Sequence, residues 1–221
     1  GEPENLKRHL LCVDAGNGKV LWQRSVDAAL PEDPYRGYIS EHGYASSTPV
    51  TDGQRVYAFF GKSGVRAFDI DGNPHWQKAV GTESSNRQWG SAASLILHEN
   101  LLIVNASEES RALIALDKVT GDEVWKLESD KTELSFSTPV IAKLDNGREE
   151  LILVVPSEVW AFAPSTGQLN WYARTTLGGN VSPTPAVADG IIYAFGGFPS
   201  TEAVAIRAGG ADDVTDTHTV W

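Results

Sequence analysis

The sequence has no methionine and a single cysteine, Cys12, so an intramolecular disulfide is excluded. It also has no uninterrupted apolar run approaching the ~18 residues that suggest a membrane-spanning helix. Basic residues are scarce, because 18 Lys and Arg face 29 Asp and Glu and leave a net charge of −11. Nucleic-acid binding is therefore not expected, since contacts to phosphates need a basic face.

Glycine and proline, by contrast, are plentiful. The 221 residues include 21 Gly and 11 Pro and are 41% hydrophobic, which suits many short strands joined by turns around a sizeable core. The chain begins without an initiator methionine, inside one sequence repeat, and stops at the tryptophan of another. We therefore expect a piece of a longer protein, with further repeats of the same parent chain outside this sequence.

Five tryptophans mark a sequence repeat. They lie 54, 49, 46 and 50 residues apart, at Trp22, Trp76, Trp125, Trp171 and Trp221. A period of this size is typical of a repeat architecture in which each unit packs on its neighbours. Four short apolar segments per period, separated by turn residues, favour a β-propeller over a helical solenoid.

The fullest copy of the repeat runs from Ala115 to Trp125. Alternating residues up to Asp117 indicate a half-buried strand, and Gly121 supplies a tight turn because glycine adopts positive φ without steric cost. The Asp117 carboxylate is expected to accept hydrogen bonds from the backbone of that turn. A second strand then carries Trp125, whose burial removes about 150–250 Å² from water and so anchors the repeat.

The other copies are degraded versions of this motif. Across the five copies, the residues assigned to a structural docking motif are Asp14, Gly18, Trp22, Asp69, Gly72, Trp76, Asp117, Gly121, Trp125, Gly167, Trp171 and Trp221. The fourth copy has Ala163 in place of the aspartate, and the fifth has Arg207 there and six extra residues before its tryptophan.

The pattern Ala-x-Asp-x-x-Thr-Gly-x-x-x-Trp resembles the tryptophan-docking motif of the pyrroloquinoline-quinone-type β-propeller repeat. Quinoprotein alcohol dehydrogenases and BamB-like outer-membrane assembly lipoproteins share that repeat. The resemblance implies an all-β propeller with four complete four-stranded blades plus a partial one, as an arc of a seven- or eight-bladed ring. It also implies an extracytoplasmic location, in the periplasm or at the outer membrane.

The whole chain, 1–221, is thus interpreted as one incomplete propeller domain. The partial blade is predicted at 1–24 and the complete blades at 43–78, 89–127, 134–173 and 180–221. Innermost strands are expected at 46–50, 92–97, 137–142 and 184–188, three of them around Ser/Pro-Thr-Pro sequences that suit strand starts. The fourth blade is expected to end with a strand near Val220.

Binding residues are sought in the loops that enter the innermost strands, because such loops are carried by a rigid scaffold. Arginine beside aromatic residues suits a carboxylate or a flat ligand. The candidate residues for a protein partner or a small ligand on this loop face are Tyr35, Arg36, Tyr38, His42, Arg87 and Trp89. The Asp-rich insertion at 209–218 lacks the spacing of a calcium loop, so no metal site is expected.

Three classes of function remain open. A non-catalytic binding or assembly scaffold is favoured, since the repeated features serve folding and no catalytic residue can be assigned. In a quinone-dependent dehydrogenase, the resemblance implies a vicinal disulfide against the quinone and an Asp base beside calcium. The chain has no Cys pair, so no cofactor is expected in this fragment. An extracytoplasmic sensor domain of a larger protein is the third class.

Overall fold

Consecutive antiparallel sheets make up the fold, which a computed structural model describes for residues 5–196 and 201–221. The partial blade comprises β1 (Lys7–Val13) and β2 (Val20–Asp27). The first blade comprises β3 (Val50–Thr51), β4 (Arg55–Phe59), β5 (Val65–Asp69) and β6 (Pro74–Lys78). The second comprises β7 (Ile96–His98), β8 (Leu101–Ala106), β9 (Ala112–Asp117) and β10 (Glu123–Glu128).

The third and fourth blades follow the same order of strands. The third contains β11 (Val140–Lys143), β12 (Glu149–Val155), β13 (Glu158–Phe162) and β14 (Leu169–Arg174). The fourth contains β15 (Ala186–Ala188), β16 (Ile191–Gly196) and β17 (Glu202–Arg207). Two one-turn helices lie between strands, α1 (Ile39–His42) and α2 (Ser107–Ser110), and a third, α3 (Thr215–His218), follows the last strand. The predicted all-β class is confirmed.

The hydrophobic cores lie between neighbouring blades. On β8, Leu102 and Val104 pack towards the first blade, whereas Leu101 and Ile103 pack towards the third. Both faces of the second blade are therefore covered, which explains why its central strands read as continuous apolar runs. Among the described residues, no helix has the length and apolar character needed to cross a membrane.

The fourth blade differs from the predicted four strands. In the described part it has three, and 219–221 joins it through a bridge between Thr219 and Ile206, hydrogen bonds with Ala205 and a contact of the Trp221 and Tyr193 rings. The insertion after Arg207 instead supplies β18 (Asp212–Asp213), which pairs in parallel with β14 of the third blade. Residues 1–4 and 197–200, predicted within the partial and fourth blades, lie outside the described residues.

The innermost strands are shorter than predicted, because the segments before them bond to neighbouring blades. The Ser47 hydroxyl donates to the Ala93 carbonyl at 2.8 Å, and the Thr48 N–H donates to the Ser94 hydroxyl at 2.9 Å. Ser94 N–H in turn donates to the Thr138 hydroxyl. These polar groups thus link consecutive blades, and proline, which lacks an N–H, is tolerated beside them.

Three of the docking tryptophans contact the blade that follows them. The Trp76 indole donates to the Lys118 carbonyl at 3.2 Å, and a Cβ atom on Gly121 would lie 2.6 Å from that indole. The same pair of contacts joins Trp22 to Gly72 and Trp125 to Gly167. Glycine at this turn therefore serves both the positive φ and the close approach of an indole ring.

Two of the five tryptophans depart from this contact. Trp171 is fully buried and donates to the Glu150 carboxylate at 2.8 Å, and that carboxylate also accepts from the Gly209 N–H. Trp221 is 61% exposed and lies beside the Tyr193 ring, with 6.4 Å between centroids. A docking role for Trp221 on a following blade stays a prediction.

Candidate functional site

Two long connections meet on one face of the blades. The first connection, residues 28–49, joins β2 to β3 and contains α1, whose Ile39 is buried. The second connection, residues 79–95, joins β6 to β7. The Tyr38 ring of the first meets the Trp89 ring of the second edge to face, with 4.6 Å between centroids. The prediction that both loops emerge on the same face is confirmed.

A groove of about 440 Å³ opens where the two connections meet, a volume within the range of ligand sites. Phe136 forms its floor and stacks on Trp89, with 5.8 Å between ring centroids. We call it the aromatic groove, and its lining residues are Tyr38, His42, Ser46, Trp89, Ala92, Phe136, Asn180, Ser182 and Pro183. All four blades contribute through the segments that enter their innermost strands.

His42 connects the two walls of the aromatic groove. Its Nε2 lies 3.1 Å from the Trp89 carbonyl, which can only accept, so Nε2 carries a hydrogen. Its Nδ1 lies 2.6 Å from the Ser46 hydroxyl. The distance from Ser46 to His42 is typical of a nucleophile and its base. In a catalytic triad, however, a carboxylate orients the histidine, whereas here the Trp89 carbonyl bonds the second ring nitrogen. The arrangement fixes the ring and joins the walls.

The other predicted site residues lie beside the groove. The Arg87 guanidinium stacks over Trp89, 5.5 Å from the ring centroid. Arg36 reaches the Gln88 side chain at 3.4 Å. Tyr35 is 57% exposed and packs on Tyr44 instead, so the structure does not place it in the groove.

Sequence reasoning missed the contributions of the third and fourth blades. Phe136 precedes the Ser137-Thr138-Pro139 segment, and Ser182 precedes Pro183-Thr184-Pro185. Their place before these related segments is the one signal that would have found them. Asn180, in the connection that enters the fourth blade, lines the same groove.

Buried charges hold the first connection in place. Arg8 of the partial blade pairs with Glu32 at 2.7 Å, and Lys62 of the first blade pairs with Asp33 at 3.0 Å. The Tyr44 hydroxyl also donates to the Asp33 carbonyl at 2.6 Å. Such pairs are costly to break because one buried charge would remain unpaired.

The second connection bonds to the same region. Ser84 donates to Asp33, Ser85 donates to Glu108 at 2.6 Å, and Ser91 donates to Glu109. The charged cluster therefore consists of Arg8, Glu32, Asp33, Lys62, Glu108 and Glu109. It supports both walls of the aromatic groove, and none of its members was predicted as a site residue.

Four carboxyl groups of the charged cluster face two cations, so full ionisation would leave buried negative charge. Burial is the main cause that raises the pKa of Glu109 to about 7; the Ser91 hydrogen bond opposes this shift and the neighbouring Glu108 carboxylate adds to it. Burial likewise raises the pKa of Glu108, whose Oε1 has no hydrogen-bond partner among the described residues. Protonation of Glu109 near neutral pH relieves part of this excess.

The described residues contain no group of three or more His, Cys, Asp or Glu side chains placed to hold a metal ion. The insertion at 209–218 instead forms internal contacts. Asp213 pairs with Arg174 and accepts from Thr215. Both contacts lower the pKa of Asp213, with the Thr215 hydrogen bonds as the larger cause.

Comparison with known proteins decides the family. Residues 5–143 match the family model described as outer membrane protein assembly factor BamB, which is more than half of the chain. The chain belongs to the BamB family. The family resemblance inferred from the tryptophan motif is thereby confirmed. The outer membrane protein assembly factor BamB of Yersinia pestis is 26% identical over 217 residues, covering 89% of this chain and 49% of that protein.

Solved structures show the same propeller fold at low sequence identity. BamB from Moraxella catarrhalis superposes with a TM-score of 0.64 and 16% identity, covering 96% of this chain and 54% of the other. A quinohemoprotein alcohol dehydrogenase from Pseudomonas putida superposes with a TM-score of 0.57 and 15% sequence identity, and the match covers 87% of this chain and 34% of the other. The chain spans about half the length of the BamB proteins it matches.

Proposed function

We propose that the chain is a non-catalytic BamB-like scaffold that binds a protein partner in the aromatic groove, in the periplasm or at the outer membrane. The observation that carries this proposal is the convergence of Tyr38, Trp89 and Phe136 from three connections into one open groove. Aromatic residues beside arginine dominate the energetics of protein interfaces. Family membership supplies the setting, since the matched proteins are named as outer membrane protein assembly factors.

The test uses purified components of an outer-membrane protein assembly machinery, each presented singly to the chain. Tyr38→Ala and Arg87→Ala should weaken binding while leaving the melting temperature nearly unchanged, because both side chains are solvent-accessible. Tyr35→Ala is the matched control, since Tyr35 is also an exposed tyrosine of the first connection but lies outside the groove. Equal loss of binding with the control would move the interface away from the groove.

A quinone-dependent dehydrogenase is the alternative that the fold leaves open. The residues present do not fit a quinone held by a vicinal disulfide, because Cys12 lies on β1 and is the chain's single cysteine. We therefore expect no pyrroloquinoline quinone binding by this chain. Titration with the quinone, followed by tryptophan fluorescence, tests this, and micromolar affinity would rank the enzyme above the scaffold.

A further inference from the structure

We propose that the aromatic groove binds an extended partner segment in which an aromatic side chain is flanked by carboxylates. The inference rests on the proposed function and names the chemistry of the segment. It combines two separate observations, the geometry of the three rings and the arginines beside them, which form no ion pair within the described residues.

The rings favour an aromatic guest. Tyr38 meets Trp89 at 74° and Trp89 lies at 29° to Phe136, so the groove displays both ring edges and ring faces. Tyr38 is 48% exposed and Trp89 is half-buried, which leaves parts of both rings uncovered. An inserted ring extends this series of edge and face contacts, whereas an aliphatic side chain gains only from apolar burial.

The charges favour carboxylates beside that ring. No Asp or Glu lines the groove, although the chain carries a net charge of −11. Within the described residues, Arg36 and Arg87 form no ion pair, in contrast to Arg8, Arg111 and Arg174. A guanidinium that has no carboxylate partner and is held over an indole ring, as at Arg87, is suited to donate two hydrogen bonds to a carboxylate.

The remaining lining atoms suit a peptide backbone. Asn180 offers an amide and Ser182 offers a hydroxyl, both from the segment that enters the innermost strand of the fourth blade. In the part of the chain that the structure describes, neither side chain takes part in a hydrogen bond. Amide and hydroxyl groups of this kind pair with backbone N–H and C=O groups of an extended segment.

The experiment compares capped short peptides by isothermal titration calorimetry with the full chain. Gly-Asp-Phe-Asp-Gly should bind about tenfold more tightly than Gly-Asp-Leu-Asp-Gly and than Gly-Lys-Phe-Lys-Gly. The double variant Arg36→Ala/Arg87→Ala should lose the discrimination between Asp and Lys but keep the preference for Phe over Leu. Arg207→Ala, an exposed arginine on the fourth blade, is the control and should change neither preference.

Three results would overturn the inference. These are equal affinity for the Phe and Leu peptides, equal affinity for the Asp-flanked and Lys-flanked peptides, and no detectable binding up to about 1 mM. A photocrosslinker at position 38 separates this failure from failure of the proposed function. Crosslinking to a purified assembly component without peptide binding would leave the scaffold function standing and reject the aromatic–acidic segment.

Discussion

On the outermost strands, Trp22, Trp76 and Trp125 each contact a glycine of the next blade, and the contact recurs with the sequence period. On the loop face, the charged cluster occurs once, and its members come from the partial blade, the first two blades and the first connection. The outer contacts tolerate loss of the motif aspartate in one copy, because burial of an indole does most of the stabilising. The two ion pairs of the charged cluster each depend on both members, since removal of one leaves the other buried and unpaired.

The largest expected effect separates a docked tryptophan from an exposed one. Trp125→Ala should lower the free energy of unfolding by about 3–5 kcal/mol, because it removes a buried ring and the hydrogen bond to Pro164. Trp221→Ala should cost less than about 1 kcal/mol, as for other exposed side chains. Urea denaturation of both variants measures this. Similar losses would show that docking on the next blade adds little.

The second prediction concerns the charged cluster and pH. The folded-state pKa of Glu109 is raised from 4.5 to about 7, so the folded protein binds more protons and stability falls as pH rises through this window. Glu109→Gln removes that contribution. The free energy of unfolding of the variant, relative to that of the wild type, should increase by about 2–3 kcal/mol as the pH rises from 5 to 8.

Chemical denaturation at several pH values provides the measurement for Glu109→Gln. Glu123→Gln is the matched control, because Glu123 is exposed on β10 and should give a pH-independent difference. An unchanged pH dependence in Glu109→Gln would mean that Glu109 is ionised in the folded protein at neutral pH. Charged residues facing Glu109 include Glu108 and Lys62, and Glu108 should keep part of the slope in the variant.

The third prediction isolates the docking contact from backbone strain. Gly167→Ala and Gly18→Ala both place alanine at positive φ, but only Gly167 faces an indole, with a Cβ position 2.6 Å from Trp125. Gly167→Ala should therefore cost about 1–3 kcal/mol more than Gly18→Ala, the usual penalty of overpacking. Thermal melts of the pair decide it. Equal destabilisation by the two variants would mean that Gly167 is needed only for the positive φ of its turn and not for the close approach of Trp125.

The smallest effect is expected for the motif aspartate. Asp117 accepts from the Val119 and Thr120 N–H groups at 2.8 and 2.9 Å, as predicted, and these bonds lower its pKa. Asp117→Ala should cost about 0.5–1.5 kcal/mol, at most half the loss from Trp125→Ala. A larger loss from the aspartate variant would show that it satisfies backbone groups that water cannot reach.

The outer contacts were predictable because their residues recur. Trp76 and Gly121 belong to successive copies of one motif, so the period alone brings them together. The replacement at Trp171 was not predictable, because Glu150 lies outside the motif and becomes its partner only after the insertion displaces the expected turn. The strand ends near Pro49 and Pro139 were also misjudged, since hydroxyl groups beside them bond to another blade.

Part of the aromatic groove was predictable from the sequence, but the charged cluster that supports it was not. Tyr38, His42 and Trp89 lie in loops whose length and aromatic content suggested binding, and they do meet. The charged cluster gave no such signal. Glu109 and its partner Ser91 are 18 positions apart in unrelated segments, and single serines and glutamates are common on any surface. Only the three-dimensional path of the two connections brings them together.

The tryptophan contacts give the arc of blades a direction. At the first three junctions between blades, the earlier blade supplies the ring and the later blade supplies a glycine, so a cut between the second and third blades would yield two unlike ends. The upstream piece would expose the apolar surface of the Trp125 indole, while the downstream piece would expose only the turn at Gly167. Truncation, circular permutation or gene duplication at these junctions therefore creates two ends that differ in the surface they expose. The upstream fragment, which ends with an uncovered tryptophan, should therefore self-associate more readily than the downstream fragment, which begins with an uncovered glycine turn.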